Sequence, residues 1–198
     1  RNVYYIGNHE IAEITSTDIH FYNLDLEEIQ KEMVEIKWDA EAAEKGGYEH
    51  FMLKEIYEQP KAVRDTINPR IKDGEIVIDE WHMTEEEVQN LNKIFIVACG
   101  SAYHAGISGK YVIEGIARIP VEVDVASEFR YRDPIIDDNS LVIVISQSGE
   151  TADSLAALRE AQRKGVKVLG IVNVVGSSIA READSVLYTW AGLEIAVA

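Results

Sequence analysis

The chain has 198 residues, 46% of them hydrophobic, which supplies a sizeable core and excludes wholesale disorder. Acidic residues outnumber basic ones 35 to 19, and the resulting formal charge of −16 excludes a sequence-independent grip on nucleic acid, because a polyanion would be repelled. A single cysteine, Cys99, makes no internal disulfide, no spaced Cys/His set suggests a structural zinc, and no apolar run approaches the roughly 20 residues that span a bilayer.

These features lead us to expect a soluble, cytoplasmic protein in a reducing compartment. The opening RNVYYIGNHE carries no basic-then-apolar leader, and the chain stops at Ala198 inside the apolar stretch EIAVA, so we expect an excised piece of a longer protein. Charge is unevenly spread: residues 1–92 hold 22 acids and 9 bases, residues 93–198 hold 13 and 10. Two differently built halves follow.

Residues 3–6 and 11–22 are rich in β-branched and aromatic side chains and are split by Gly7-Asn8-His9-Glu10, which predicts a hairpin turning at 7–10. A lone hairpin is marginal in water, so it should belong to a larger sheet. Residues 25–44 are acid-rich connector, with a helical portion, ended by Gly46-Gly47. From Tyr48 to Ile67 the apolar spacing predicts a helix packed on one side, with Pro60 bending or restarting it. Asp73-Gly74 lies between apolar residues in a loose hairpin or extended crossing. Thr84 with Glu87 three residues on is a capping-box pattern and predicts a short helix over 85–92.

The second half has another rhythm. Five short apolar runs, at 94–98, 121–125, 141–145, 166–172 and 186–189, alternate with expected helices over 103–117, 127–131, 151–164 and 178–183, and Gly165 sits where a left-handed residue would end the third. The expected fold is α/β: a three-layer, doubly wound (flavodoxin-like) parallel sheet with strands buried on both faces.

In such sheets ligands bind beyond the carboxyl ends of the strands. Two junctions stand out there: Cys99-Gly100-Ser101-Ala102 after the first run, and Ser146-Gln147-Ser148-Gly149-Glu150-Thr151 after the third. A phosphate monoester needs several converging donors, and a helix N-terminus offers unpaired amides plus about half a positive charge. Ser146, Ser148 and Thr151 could add hydroxyls, Gly149 would let the anion approach the backbone, and Gln147 suits a sugar hydroxyl or ring oxygen. Against this stands a plainer role for Ser148 or Thr151 as a simple N-cap. Dinucleotide and P-loop motifs are absent: residues 100–106 are not GxGxxG, and Gly109-Lys110 precedes Tyr111. Cys99 reads as a small residue ending a buried strand more readily than as a nucleophile. His104 reads as a packing or capping residue, His50 and His82 carry less information still, and Trp38, Trp81 and Trp190 read as core or interface anchors. Glu194 is a weaker candidate for the crevice.

The segments KGGYEHFMLKEIYEQP (45–60), IFIVACGSAYHAG (94–106), PVEVDVASEFRYRDP (120–134), VISQSGETADSLAALREA (144–161) and NVVGSSIAREAD (173–184) together make the chain resemble the glutamine-fructose-6-phosphate aminotransferase family over nearly all its length. SQSGET by itself would indicate only the wider sugar isomerase (SIS) group. The resemblance implies that residues 1–25 are the remnant of a glutaminase domain, 26–80 a connector, and 81–198 a first SIS domain truncated at its C-terminus. It further implies a sugar-phosphate site formed by Cys99, Gly100, Ser101, Ala102, Ser146, Gln147, Ser148, Thr151 and Val197.

It also implies fructose-6-phosphate or glucosamine-6-phosphate as ligand, glutamine only through a missing domain, a homodimer, and no metal or organic cofactor. Nucleic acid and membrane are not expected partners. The family commonly has Thr-Ser where this chain has Ser101-Ala102, so any contact at 102 comes from the backbone. The family's glutaminase cysteine is not matched by Cys99, and its isomerase glutamate, lysine and histidine fall outside these residues, so the chain is expected to be inactive alone. The alternative is a sugar-phosphate-sensing SIS module. Such sensors carry a basic DNA-binding domain, whereas residues 1–92 are strongly acidic.

Overall fold

In the computed structural model, which describes residues 2–35, 45–78 and 80–196, the chain divides into two units, Arg1–Gly47 and Tyr48–Ala198. Among its described residues the first holds five short strands: β1 (Asn2–Val3), β2 (Glu10–Ile14), β3 (Ile19–Asn23), β4 (Glu28–Ile29) and β5 (Val34–Glu35). Strands β2, β3 and β4 form an antiparallel sheet in that order, and β1 pairs with β5. The hairpin turns at 15–18, not at 7–10. Thr15 Oγ1 accepts the Asp18 N–H at 2.9 Å and the Thr17 N–H at 3.3 Å, so a side chain closes the turn inside a run whose β-branched composition reads as unbroken strand. Of the connector expected to have a helical portion within 25–44, residues 25–35 carry β4 and β5 and no helix, while residues 36–44, Trp38 among them, lie outside the described residues.

The second unit begins with α1 (Phe51–Ile67), which carries Pro60 inside it. Then β6 (Ile71–Lys72) and β7 (Glu75–Ile76) form a hairpin over Asp73 and Gly74, with φ of 53° and 85°. Positive φ at both central residues is the signature of the turn that matches strand twist. Helix α2 (Glu85–Gln89) has the capping box complete: Thr84 Oγ1 accepts the Glu87 N–H, and the Glu87 carboxylate accepts the Thr84 N–H.

Next come β8 (Lys93–Ala98), α3 (Gly100–Ile116), β9 (Val121–Val125), α4 (Ala126–Tyr131), β10 (Ser140–Ser146), α5 (Ala152–Arg163), β11 (Lys167–Val172), α6 (Ser178–Glu182) and β12 (Ser185–Tyr188). The five strands pair in parallel in the order β12-β11-β10-β8-β9. Alternate residues serve opposite faces. Phe95, Val97, Val142, Val144, Val168 and Val172 pack with Phe129 of α4, Leu158 of α5 and Ile179 of α6. Ile94, Ile96, Leu141, Ile143 and Leu169 build the other core with Met83, and Ile113 of α3 packs against it. Burial on both faces explains why these strands are continuous apolar runs. Gly165, at φ 79°, ends the third of the helices expected between these strands, α5, as its position predicts.

Registers bring the carboxyl ends to one edge: Ala98 pairs with Val125 and Ile145, Ser146 with Val172, and Val172 with Tyr188. Helix α3 starts at Gly100, three residues earlier than expected, because Gly100 at φ 56° turns the chain directly out of the strand. No helix among the described residues is long and apolar enough to cross a membrane.

Candidate functional site

Sheet order decides where a crevice opens. Strand β8 is flanked by β9 on one side and β10 on the other, so the chain reverses direction across the sheet between β8 and β10. The two junctions singled out by composition follow these two strands, one on each side of the switch point. They also touch: the Ser154 hydroxyl, in the first turn of α5, lies 3.9 Å from Cys99 Sγ.

The 146–151 loop is organised by its own hydroxyls. Ser146 Oγ accepts the Gly149 N–H at 3.1 Å and lies 3.2 Å from Thr151 Oγ1. Ser148 Oγ accepts the Glu150 N–H at 3.2 Å. Thr151 occupies the N-cap position of α5, but its side chain makes no capping bond to the helix. The simple N-cap role is therefore not what Thr151 performs, and the amides of the first turn have no side-chain acceptor from the cap residue. Cys99 likewise holds the N-cap position of α3 without a side-chain cap. Ser146 is buried, Gln147, Ser148 and Thr151 are half-buried, and Ser101 is exposed beside half-buried Cys99 and Ala102.

Gly149 has a reason to be glycine other than ligand approach. Its φ is +66°, and a Cβ there would stand 2.0 Å from Ser177 Oγ. Ser177 is buried, and its hydroxyl is the one buried side-chain polar atom without a hydrogen-bond partner among the described residues. The adjacent backbone is pinned from both sides: the Ile179 N–H donates to Gly149 O at 3.0 Å, and the Asn173 N–H donates to Gln147 O at 3.0 Å.

Two carboxylates border the loop, and both are turned to other partners. Glu150 Oε1 accepts the Ser178 N–H at 2.7 Å. Asp153 accepts from Arg130 of α4 at 2.8 Å, and this bond raises the guanidinium pKa above its ordinary value. The loop can thus offer hydroxyls and helix amides to an anion while its acids are engaged sideways. Among the described residues no group of three or more His, Cys, Asp or Glu is arranged to hold a metal.

Val197 lies outside the described residues. Glu194 is exposed, Trp190 is 49% exposed rather than a core residue, and Trp81 packs against the second core as expected. A cavity of about 180 Å³ lined by Thr84, Asn139, Ser140 and Lys167 lies at the amino ends of β10 and β11, away from both junctions. Asn173 and Arg130 escaped the reading of the sequence. Asn173 had a usable signal, since it directly follows the fourth apolar run at the same sheet edge.

Comparison with known proteins agrees with this fold. Residues 87–198 match the family model described as SIS domain. Over the full chain the sequence is 64% identical to the glutamine--fructose-6-phosphate aminotransferase [isomerizing] of Clostridium acetobutylicum, of which it covers 33%. It is 59% identical over 82% of the chain to the protein of that name from Mycolicibacterium paratuberculosis, covering 26% of it. The chain therefore spans about a third or less of these relatives. Among solved structures, the C-terminal domain of glucosamine-fructose-6-phosphate aminotransferase from Francisella tularensis aligns at TM-score 0.72 and 49% identity, covering 77% of this chain and 43% of that one. The sugar isomerase domain of an RpiR transcription factor from Sphaerobacter thermophilus aligns at TM-score 0.50 and 19% identity over 70% of this chain and 72% of that one, a likeness of fold alone.

Proposed function

The chain belongs to the SIS-domain family, and from that premise we propose that it is the sugar-phosphate-binding part of an amidotransferase that makes glucosamine-6-phosphate from fructose-6-phosphate and glutamine. The observation that carries this reading is the hydroxyl-lined, uncapped start of α5 at the switch point between β8 and β10. The phosphate sits over the α5 amides, with hydroxyl protons supplied by Ser148 and by the hydrogen-bonded Ser146–Thr151 pair. Gln147 and the Cys99–Ala102 turn line the sugar, and the resemblance to the aminotransferase family adds Val197 to the sugar contacts. Neutral donors fixed in place cost little reorganisation when a dianion arrives, and the helix end supplies favourable potential.

In this reading the chain anchors and orients. Fixing the phosphate sets the carbonyl carbon at a defined distance, where groups from elsewhere in a longer protein act on it. The chain by itself is then inactive, the longer protein is a cytoplasmic homodimer, and glutamine is handled by a separate domain. The 64% identity over the whole chain to a relative of that name supports the assignment. A sensing module gains no support from a likeness limited to the fold, and the acidic first half of the chain is unsuited to DNA.

Calorimetric titration with fructose-6-phosphate, glucose-6-phosphate and inorganic phosphate tests the reading. All three bind the chain, and Ser148→Ala weakens each by about tenfold, the loss of one charge-assisted hydrogen bond. Unchanged affinity in the variant removes the role assigned to the loop. Formation of glucosamine-6-phosphate by the 198-residue chain would overturn its proposed inactivity.

A further inference from the structure

Asn173 stands where β11 ends, one residue past Val172, and both its backbone N–H and its side-chain amide are hydrogen-bonded. Its N–H donates to Gln147 O at 3.0 Å. Its side-chain Oδ1 accepts from Thr189 Oγ1 at 2.9 Å and from the Ala191 N–H at 2.8 Å, and Nδ2 donates to Gly192 O at 2.6 Å. The amide orientation follows from the partners, because a backbone N–H can only donate and a carbonyl can only accept.

Beyond the β11–β12 pairing, in which the Thr189 N–H already donates to Val172 O at 2.9 Å, these bonds join two stretches of chain. On one side is the candidate phosphate loop, entered at Gln147. On the other is the irregular segment that leaves β12, in which Trp190 and Gly192 both have positive φ, 48° and 82°. A tryptophan in the left-handed region is strained and persists only where surrounding contacts over-determine it. Asn173 brackets that turn, bonding residues 189, 191 and 192. Beyond it, α1 holds the rest of the segment. Arg70 Nη2, just past the helix, donates to Tyr188 O at 2.7 Å, Thr66 Oγ1 donates to Thr189 O, and Glu55 Oε1 accepts the N–H groups of Ile195 and Ala196 at 2.8 and 3.0 Å.

We propose that Asn173 is a positioning residue for the sugar end of the site, clasping the 189–192 segment to the loop that begins at Gln147. This rests on the sugar-phosphate reading above. The phosphate end has its own internal bonds through Ser146, and Gln147 is held by the backbone N–H of residue 173 whatever its side chain, whereas the 189–192 segment leading toward Val197 depends on the Asn173 side chain. The clasp therefore discriminates between ligands that carry a hexose and ligands that do not.

The test uses the 198-residue chain with Asn173→Ala, Asn173→Asp and Ser148→Ala, titrated with fructose-6-phosphate and with inorganic phosphate. Asn173→Ala weakens fructose-6-phosphate by about tenfold, equivalent to about 1.4 kcal/mol, and leaves inorganic phosphate within about twofold. Asn173→Asp keeps both accepted bonds, loses the donated one, and falls between. Hydrogen exchange in the Ala variant speeds up at the amides of residues 189–192. Equal losses for both ligands, no loss for fructose-6-phosphate, or unchanged exchange at 189–192 would overturn the role of Asn173. If Ser148→Ala abolishes binding while Asn173→Ala does not, the clasp alone fails. If Ser148→Ala binds as the parent does, the sugar-phosphate reading itself fails and the proposal falls with it.

Discussion

Gly149 and Ser177 compete for one volume: a Cβ on the glycine would lie 2.0 Å from the serine Oγ and 2.6 Å from its Cβ. The hydroxyl is buried without a hydrogen-bond partner, so the contact is one of shape. It locks the 146–151 loop against the start of α6, where the Ile179 N–H reaches Gly149 O.

Gly149→Ala should lower stability by roughly 2–3 kcal/mol, combining strain at positive φ with the clash on Ser177. Adding Ser177→Gly removes the steric part and leaves the backbone part. The check is a urea unfolding cycle of the parent, both single variants and the double variant. Strict additivity would mean that the two residues do not share the space the geometry gives them.

Much of this architecture can be read from residues alone, for identifiable reasons. Strands buried on both faces become unbroken apolar runs, so β8 to β12 emerge within two residues of their bounds. Thr84 and Glu87 interact at a fixed local spacing, so the capping box is visible before any fold is known. The turn at Thr15–Asp18 is not, because its closing groups are hydroxyls that also suit strands, while Gly7-Asn8 mimics a stronger turn signal. The candidate loop was legible through its crowded hydroxyls at a strand-to-helix junction. The reason for Gly149 was hidden, since Ser177 lies 28 positions away and only the β11–α6 crossover brings it there. Asn173 was hidden likewise: its side-chain partners lie 16 to 19 residues on and are set by the return of β12.

Acid should weaken the second unit in a defined window. Two hydrogen bonds of 2.7 Å from Arg159 hold the Glu182 carboxyl below the usual carboxylate range. Hydrogen bonding to Lys93, with Arg132 nearby, does the same for Glu122. A carboxylate with a lowered folded pKa binds fewer protons in the folded state than in the unfolded chain. Its contribution is therefore complete above about pH 4.3 and is lost as pH falls through the lowered value. The urea midpoint should stay level from about pH 7 to pH 5 as far as these groups decide it, then drop. Glu182→Gln should cost about 0.5 kcal/mol near neutrality, a figure discounted for solvent screening, and the gap to the parent should close in acid. A gap that widens below pH 4 would reverse the sign assigned to this pair.

Arg130 and Asp153 make the last prediction. Asp153 stands in the first turn of α5, where a carboxylate is favoured by the helix dipole but would repel an incoming phosphate on the proposed reading. Its bond to Arg130, at 2.8 Å, offsets that charge without placing the guanidinium among the loop hydroxyls. Arg130→Met should weaken inorganic phosphate by about threefold at low salt, in keeping with a partly exposed pair, and the loss should shrink as ionic strength rises. Removing both charges, in Arg130→Met with Asp153→Asn, should return affinity to the parent value. If the double variant binds as weakly as Arg130→Met, the arginine acts as a direct ligand. The anion would then be held by a cation, not by amides and hydroxyls alone.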